Sequence, residues 1–163
     1  MRIAAPIEIS APPESVWEWI SDPEKALHFF SGVTRWEVVG DQPVGMGARY
    51  KMLLRVGSAE VGGLIEVIEF NENRDMAWTS VTGLDQRGRW RLRERPGGRT
   101  RVELRLSYGV AGAGFFGWIA ERVGAPIVKG HLERTVRQLK RQVEQEQTRR
   151  RAAERRAARA SAV

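Results

Sequence analysis

Apolar and polar residues alternate in two parts of the chain, near the N-terminus and over most of residues 33–110. In the first part Ile3, Ala5, Ile7 and Ile9 occupy every second position, a period that is typical of a strand with one buried face. Turn-forming residues interrupt the second part at 40–43, 57–58, 71–73, 83–85 and 96–98. The pattern therefore predicts an N-terminal strand and, after a gap, about six further strands joined as a meander.

The same alternation sorts the strand residues onto two faces of the predicted sheet. One face carries large side chains, namely Tyr50, Met52, Leu54, Val56, Trp90, Leu92, Val102, Leu104, Leu106, Tyr108 and Val110. The positions between them carry mainly charged residues, among them Arg49, Lys51, Arg89, Arg91 and Glu103. We expect the first face to be buried and the second to contact water.

Helical signals flank the strand region on both sides. Pro12-Pro13-Glu14 predicts the first turn of a short helix, because proline fits that turn and an acidic side chain favours the positive end of the helix dipole. Asp22-Pro23 ends this helix and opens a second one that runs to Phe30. Apolar residues then recur at helical spacing from 115 to 143, which predicts a long C-terminal helix with a kink or a short break at Pro126.

The net charge of +7 is concentrated at the C-terminus. Residues from Thr148 onward hold six arginines and one glutamate, so the rest of the chain is only mildly basic. Hydrophobic residues make up 42% and charged residues 29% of the 163 residues, which indicates one folded domain. We predict a domain at 1–146 and a basic, Arg/Ala-rich tail at 147–163 that is disordered or a frayed helix. Only this tail suggests contact with nucleic acid or an anionic membrane.

Arginine also recurs at every second position from 87 to 95. Such a stripe can bind phosphate groups. Glu94 and Glu103 are interspersed with it, however, and no aromatic residue is available there for base stacking. An ordinary solvated strand face is therefore the favoured interpretation of the stripe.

Several classes of chemistry lack the residues that they need. The chain has no cysteine, which excludes disulfides, thiolate catalysis and cysteine-ligated metals. The only two histidines, His28 and His131, lie in no metal-binding spacing, and no phosphate-loop, nucleophile-elbow or dinucleotide motif occurs, so we expect neither a metal nor a cofactor. We also expect a cytoplasmic protein, because no segment has the apolar run of a signal peptide or of a membrane helix.

The order of the predicted elements and four short segments resemble a known superfamily. The most specific segment is Ile7-Glu8-Ile9-Ser10-Ala11-Pro12-Pro13-Glu14-Ser15-Val16-Trp17, and the others are Ile20-Ser21-Asp22-Pro23, residues 32–40 and Gly88-Arg89-Trp90-Arg91-Leu92. Over roughly residues 1–146 the chain resembles the START-like, or SRPBCC, helix-grip superfamily, in particular its bacterial polyketide cyclase/dehydrase and lipid-transport branch, which also includes coenzyme-Q-binding proteins.

This resemblance implies an α+β fold in which a curved antiparallel sheet of about seven strands wraps around a long C-terminal helix, with two short helices after the first strand. It also implies a deep apolar cavity between sheet and helix, entered near the short helices. His28, Phe29 and Phe30 are therefore expected at the entrance. Strand parity and helix spacing give the expected lining, which is Tyr50, Met52, Leu54, Trp78, Ser80, Trp90, Leu104, Leu106, Tyr108, Phe116, Ile119, Val123 and Ile127.

Two functions stay open at this point, since one fold hosts many activities. The first is binding or carriage of a hydrophobic small molecule that is lipid-like, polyketide or quinone-like. The second is a polyketide cyclase or aromatase-type enzyme that acts in the same pocket. Any imidazole chemistry would need His28 or His131, and for each an ordinary surface or core-edge position is the alternative. The sequence identifies no acid–base pair that would act together in the pocket, and this favours the binder. A weaker third option is an interaction protein that uses its basic tail on RNA or an anionic membrane. The oligomeric state is left open.

Overall fold

Seven strands and three helices make up the part of the chain that the structure describes. The structure is a computed structural model, and it describes the backbone of residues 1–109 and 114–162 and the side chains of 1–109 and 124–162. In chain order the elements are β1 (Arg2–Ile9), α1 (Pro13–Ile20), α2 (Ala26–Phe29), β2 (Val33–Val39), β3 (Arg49–Val56), β4 (Ala59–Asn71), β5 (Asp75–Ser80), β6 (Asp85–Arg95), β7 (Arg99–Gly109) and α3 (Gly114–Ser161).

The strands form a single antiparallel sheet in the order β1-β7-β6-β5-β4-β3-β2. Strands β2 to β7 are a meander, as the turn pattern predicts, and β1 pairs with the last strand of that meander. The long C-terminal helix contacts β1 and both short helices. The predicted fold class, a seven-stranded antiparallel sheet with two short helices and a long terminal helix, is confirmed.

Cross-strand register places the large even-numbered residues of neighbouring strands on one face. Trp78 on β5 lies opposite Gly88 on β6, which lies opposite Leu106 on β7. Trp90 lies opposite Leu104 in the same way, and all four of these non-glycine side chains are buried. Because side chains alternate across a strand, this shared parity builds the continuous apolar inner face of the sheet.

Helix α3 supplies the other half of the core through one apolar stripe. Its buried residues Val128, Leu132, Val136, Leu139 and Val143 recur every three or four positions, which keeps them on one side of the helix. Full burial of such side chains contributes roughly 1.5–3 kcal/mol each. The stripe therefore holds α3 against the sheet and α1 over residues 128–143.

Polar contacts fix the short helices to the same part of α3. The indole Nε1–H of Trp19 in α1 donates to the carboxylate of Glu146. The backbone N–H of Ser31, just after α2, donates to Thr135 Oγ1 over 2.9 Å, and Thr135 is buried. These contacts set the position of the short-helix pair relative to the interior.

The structure also bears on the C-terminal region of the sequence. Helix α3 is continuous through Pro126, so of the two alternatives predicted there, a kink or a short break, the break is wrong. The 147–163 segment, for which the sequence predicts disorder or a frayed helix, continues α3 as far as Ser161, and its arginines and alanines are good helix formers. Arg150 pairs with Glu18 of α1 at 2.7 Å. Among the described helices, none is long and apolar enough to cross a membrane.

Candidate ligand-binding cavity

Two small cavities lie in the interior between the inner face of the sheet and the helices. The larger holds about 40 Å³ and is lined by Phe30, Ser31, Val33, Trp36, Met52, Leu54, Trp78, Gln86, Leu104, Leu106, His131, Leu132 and Thr135. The smaller holds about 10 Å³ and is lined by Ile20, Phe30, Trp36, Tyr50, Ile65, Val67, Met76, Trp78 and Trp90. Since Phe30, Trp36 and Trp78 line both cavities, these three aromatic side chains are what separates them.

Neither of these cavities has the volume of a typical ligand pocket, which is about 300–1,000 Å³. Both are bounded by described side chains. The predicted lining residues Phe116, Ile119 and Val123 lie outside the described side chains. The ligand-sized cavity predicted between the sheet and the first part of α3 therefore stays a prediction.

A stack of aromatic rings forms the wall near the short helices. The rings of Phe30 and Trp36 are stacked with centroids 5.0 Å apart, and Trp36 stacks in turn on Tyr50 at 5.2 Å. Phe30 also contacts Phe29 at 4.8 Å and Trp90 at 5.9 Å. Each such pair adds about 0.5–1.5 kcal/mol beyond simple burial. The stack thus joins the end of α2 to β2 and β3 on the inner side of the sheet.

Three tryptophans in these walls carry buried N–H groups that find no acceptor among the described residues. The Nε1 atoms of Trp36, Trp78 and Trp90 are inaccessible to solvent and make no hydrogen bond within this part of the chain. An indole N–H can only donate, and leaving such a donor buried without a partner costs roughly 1–3 kcal/mol. Buried polar groups are satisfied in the large majority of cases, so three orphans around adjoining cavities require an explanation.

Gln86 adds a fourth polar group to the larger cavity. The residue is only 3% exposed, and its side-chain amide lies in the wall of that cavity. Its backbone N–H donates to Ser80 Oγ, which fixes the start of β6. The amide group is thus available inside the wall as both donor and acceptor.

His131 of α3 lies in the wall of the larger cavity with both ring nitrogens engaged. Nε2 is 3.1 Å from the carbonyl oxygen of Arg55 and must donate to it, and Nδ1 lies 3.2 Å from Ser31 Oγ. Burial lowers the pKa of His131, the charge of Arg134 lowers it further, and the hydrogen bond to Arg55 acts in the opposite direction. The ring is therefore neutral at pH 7, with its proton on Nε2 and with Nδ1 accepting from the hydroxyl of Ser31.

Tyr50 is held in a protonated state. Its hydroxyl donates to the carbonyl oxygen of Pro43 over 2.6 Å. Burial, and to a smaller extent the charge of Asp22, raises the pKa of Tyr50 to about 12. Its phenol therefore serves as a donor to the backbone at neutral pH and not as a base.

Most of the sheet residues predicted for the site do line the two cavities. Tyr50, Met52, Leu54, Trp78, Trp90, Leu104 and Leu106 are all in their walls. Ser80 is not, because its hydroxyl is used in the β5–β6 turn by Asp85 and the backbone of Gln86. Tyr108 borders an open depression of about 570 Å³ together with Arg2 and Arg87, and arginine side chains suit an anionic group better than an apolar ligand.

Of the residues predicted for the entrance and for α3, only some line the two cavities. Phe30 lines both cavities, whereas Phe29 is a buried core residue and His28 is exposed and in neither wall. Ile127 is half-buried and also lies in neither wall. His131 is the imidazole that the structure places beside the cavity. Trp36 and Gln86 line the cavities but are absent from the predicted lining. Gln86 could have been predicted, because it lies two and four positions before Gly88 and Trp90 on β6 and therefore shares their inner face.

The three central arginines of the stripe on β6 form ion pairs with acidic neighbours. Asp75 of β5 is buried and has carboxylate oxygens 3.9, 3.7 and 3.3 Å from Arg89, Arg91 and Arg93. Arg89 also pairs with Glu69. These ion pairs support the interpretation of the stripe as an ordinary strand face. Among the described residues no cluster of three or more potential metal ligands occurs.

Comparisons with known proteins identify one matching family model and several solved structures with a similar fold. The family model described as polyketide cyclase / dehydrase and lipid transport matches residues 1–144. The structure of TTHA0849 from Thermus thermophilus is similar with a TM-score of 0.77 and 23% identity, over 90% of this chain and 99% of that one. The Zhui aromatase/cyclase from Streptomyces sp. R1128 is similar with a TM-score of 0.74 and 16% identity, over 88% of this chain and 93% of that one. A search of curated proteins finds no match.

At these identities the solved structures support the fold alone. The family model, in contrast, covers almost the whole predicted domain, including the strand–turn–helix segment at 7–17 that carries the resemblance. The chain therefore belongs to the polyketide cyclase/dehydrase and lipid-transport family of helix-grip proteins.

Proposed function

We propose that the protein binds a hydrophobic small molecule with hydrogen-bond acceptor atoms, such as a polycyclic ketone or quinone, between the inner face of the sheet and α3. The observation that carries this proposal is the set of three buried indole N–H groups of Trp36, Trp78 and Trp90, which have no acceptor in the described part of the protein. A carbonyl oxygen on a flat apolar ligand would satisfy one or more of them.

The composition of the walls also matches the polarity of such a ligand. They consist mainly of aromatic and aliphatic side chains, with the Gln86 amide as an additional polar group. Apolar walls with a few placed polar groups are the usual composition of small-molecule sites. A saturated acyl chain would leave the indole donors unsatisfied, so among lipid-like, polyketide and quinone-like ligands the acceptor-bearing ones fit better.

Binding requires the two small cavities to merge and enlarge. Phe30, Trp36 and Trp78 separate them, so movement of these rings connects the two spaces. Phe30 directly follows the four-residue helix α2 and is only partly buried, in contrast to Phe29, which is a core residue. We propose that the α2–β2 connection opens to admit the ligand, in line with the entrance expected near the short helices.

A matched pair of probes tests the role of the indole donors. Fluorene and 9-fluorenone have nearly the same shape, and only the second carries a carbonyl oxygen. We expect 9-fluorenone to bind at least about fivefold more tightly by isothermal titration calorimetry, because one hydrogen bond to an otherwise unsatisfied donor is worth about 1–3 kcal/mol. The ratio of the two dissociation constants is the relevant quantity, since shape-related effects largely cancel in it.

Variants then identify the donor. Trp36→Phe, Trp78→Phe and Trp90→Phe each remove one indole N–H and retain an aromatic ring, and at least one of them should bring the ratio close to one. Trp19→Phe is the control, because its N–H already donates to Glu146 outside the cavities. Equal affinity of the two probes for the unmodified protein, or a preference that survives all three variants, would contradict the proposal.

A cyclase-type reaction is the second candidate, and the pair His131 and Ser31 is the observation in its favour. Abstraction of a proton next to a ketone is an elementary step of such a reaction, and His131 lies in the cavity wall. Its Nδ1, however, already accepts from Ser31 and its Nε2 donates to Arg55, so neither nitrogen is free to take a substrate proton. This arrangement favours binding without catalysis.

Deuterium exchange into 2-tetralone separates the two candidates without knowledge of the natural substrate. In D₂O the α-protons of this ketone exchange through an enolate, and the rate is followed by proton NMR. We expect the protein to leave the buffer rate unchanged. An acceleration that falls by about 10²-fold or more in His131→Gln, with 2-tetralone still bound, would instead establish proton transfer by His131.

A further inference from the structure

Strand β2 is an edge of the sheet that the described part of the chain leaves uncovered. It is the last strand in the sheet order and pairs on one side only, with β3. The opposite edge, β1, is covered by α3, whose Lys140 donates to the carbonyl oxygen of Glu8 and whose Glu144 accepts from the N–H of Ser10. Among the described residues, no backbone group bonds to the free side of β2.

Apolar side chains are exposed at the same edge. Val38 and Val39 at the end of β2 are 40% and 43% exposed, and Val44 and Met46 in the following loop are 40% and 64% exposed. An uncovered strand with exposed apolar residues is a template for pairing with another strand. The usual protections are weak here, because β2 contains no proline or lysine and its irregularity lies near its start, between Val33 and Arg35.

The charges on β2 decide which strand fits. Arg35 and Glu37 lie on the outer face of β2, on either side of the inward-facing Trp36 in sequence. Arg35 Nε is 3.5 Å from Glu37 Oε1, and both side chains are about half exposed. If a second copy of β2 pairs antiparallel with Trp36 opposite Trp36, Arg35 of each copy lies opposite Glu37 of the other. Opposite charges directly across two antiparallel strands stabilise the pair, and like charges destabilise it.

We infer that β2 is a self-association edge, at which two copies of this chain pair antiparallel about Trp36 and join their sheets. The two-fold symmetry of such a contact requires a self-complementary surface, and the Arg35–Trp36–Glu37 segment has that property. Moving the centre by one residue to Glu37 places two glutamates opposite each other, and moving it to Arg35 does the same with two arginines. Among the registers centred on Arg35, Trp36 and Glu37, the charges therefore favour the one centred on Trp36.

The contact is small, so the association is weak. A seven-residue strand with its adjacent loop buries less surface than the standard interface of about 1,600 Å². Val38 and Val39 lose their exposure on pairing, and the loop residues Val44 and Met46 lie beside them. We expect a monomer–dimer equilibrium in the micromolar range, not a permanent dimer.

Sedimentation velocity of charge variants tests both the surface and the register. Arg35→Glu makes both positions acidic and Glu37→Arg makes both basic, so each variant alone should dimerise about thirtyfold more weakly than the unmodified protein. An equimolar mixture of the two should form a heterodimer, because every cross-strand pair is again of opposite charge. The double exchange Arg35→Glu/Glu37→Arg should restore dimerisation to within about threefold for the same reason.

Arg95→Glu, the same charge change on the exposed end of β6, is the control and should leave the equilibrium unchanged. Thermal melts verify that each variant is folded, which matters for Glu37→Arg because Glu37 lies opposite Lys51 on β3. A protein that is monomeric at all concentrations overturns the inference. So does dimerisation that persists in Arg35→Glu, or single variants that fail to recover on mixing, since another surface or no specific register is then responsible.

Discussion

Replacing Gly88 by alanine is expected to lower the free energy of unfolding by about 3 kcal/mol, because the indole of Trp78 occupies the space that a Cβ would need. An ideal Cβ at Gly88 would lie 1.9 Å from Cζ2 and 2.1 Å from Cε2 of Trp78. Trp78 is buried on the central strand β5, and the two cavities that it lines hold only about 40 and 10 Å³, too little for its ring to move into without displacing other side chains. For a chain of this size the melting temperature should fall by roughly 5–10 °C.

Gly109→Ala provides the matched control for this prediction. Gly109 is also in the paired part of the sheet, opposite Asp85 on β6, but no heavy atom of the described residues lies within 4 Å of the position of its added Cβ. We expect its free energy of unfolding to change by less than about 0.5 kcal/mol. Urea unfolding followed by far-UV circular dichroism measures both variants, and a similar loss in both would mean that the contact with Trp78 does not constrain Gly88.

The sheet half of the site could be predicted from the sequence because a strand has a period of exact alternation. Once Tyr50 and Leu104 are assigned to the inner face, Met52, Leu54 and Leu106 follow without any knowledge of the fold. A slip of one residue between strands would move the apolar side chains to the opposite face, so the apolar pattern excludes such slips. This is why seven predicted strand residues do lie in the cavity walls.

The short-helix region could not be predicted in the same way. Helix α2 has only four residues, Ala26–Phe29, which is too short for a periodic pattern to define its buried side. Its packing against α3 buries Phe29 and leaves His28 and Leu27 exposed. The prediction of His28 at the entrance came from the resemblance alone, and the orientation of one helical turn is decided by tertiary contacts.

The position and hydrogen bonding of the His131 ring depend on residues that are distant in sequence. Ser31, which interacts with its Nδ1, is 100 positions away, and Arg55, which accepts from its Nε2, is 76 positions away. A single histidine on a helix carries no signal of such partners. The unpaired indole N–H groups are equally invisible in the sequence, because whether a buried donor lacks an acceptor is a property of the packed interior.

Gly32→Ala is expected to lower the free energy of unfolding by about 3 kcal/mol, and Gly40→Ala by only about 1 kcal/mol. Both glycines have positive φ, +78° at Gly32 and +92° at Gly40, so the backbone strain introduced by alanine is similar. At Gly40 nothing lies within 4 Å of the new Cβ, whereas at Gly32 the ring of His131 lies at 2.5–2.6 Å. The difference between the variants therefore measures the displacement of His131 and the loss of its hydrogen bonds.

The pH dependence of stability gives a second, independent signature of that displacement. Burial holds the pKa of His131 below its value in the unfolded chain, so the unfolded state binds more protons as the pH falls from about 6.5 through the folded pKa. The contribution of His131 to the free energy of unfolding is therefore fully present above a pH of about 6.5 and decreases as the pH falls through this window. In Gly32→Ala the displaced ring is solvated and its pKa returns toward the unfolded value, so the decrease should disappear, while Gly40→Ala should retain it. Glu144 and Glu146, whose pKa values are lowered in the fold, act at lower pH and in both variants alike. An identical decline in the two variants, measured by urea unfolding between pH 7.5 and the acid end of the window, would show that His131 is not confined by Gly32.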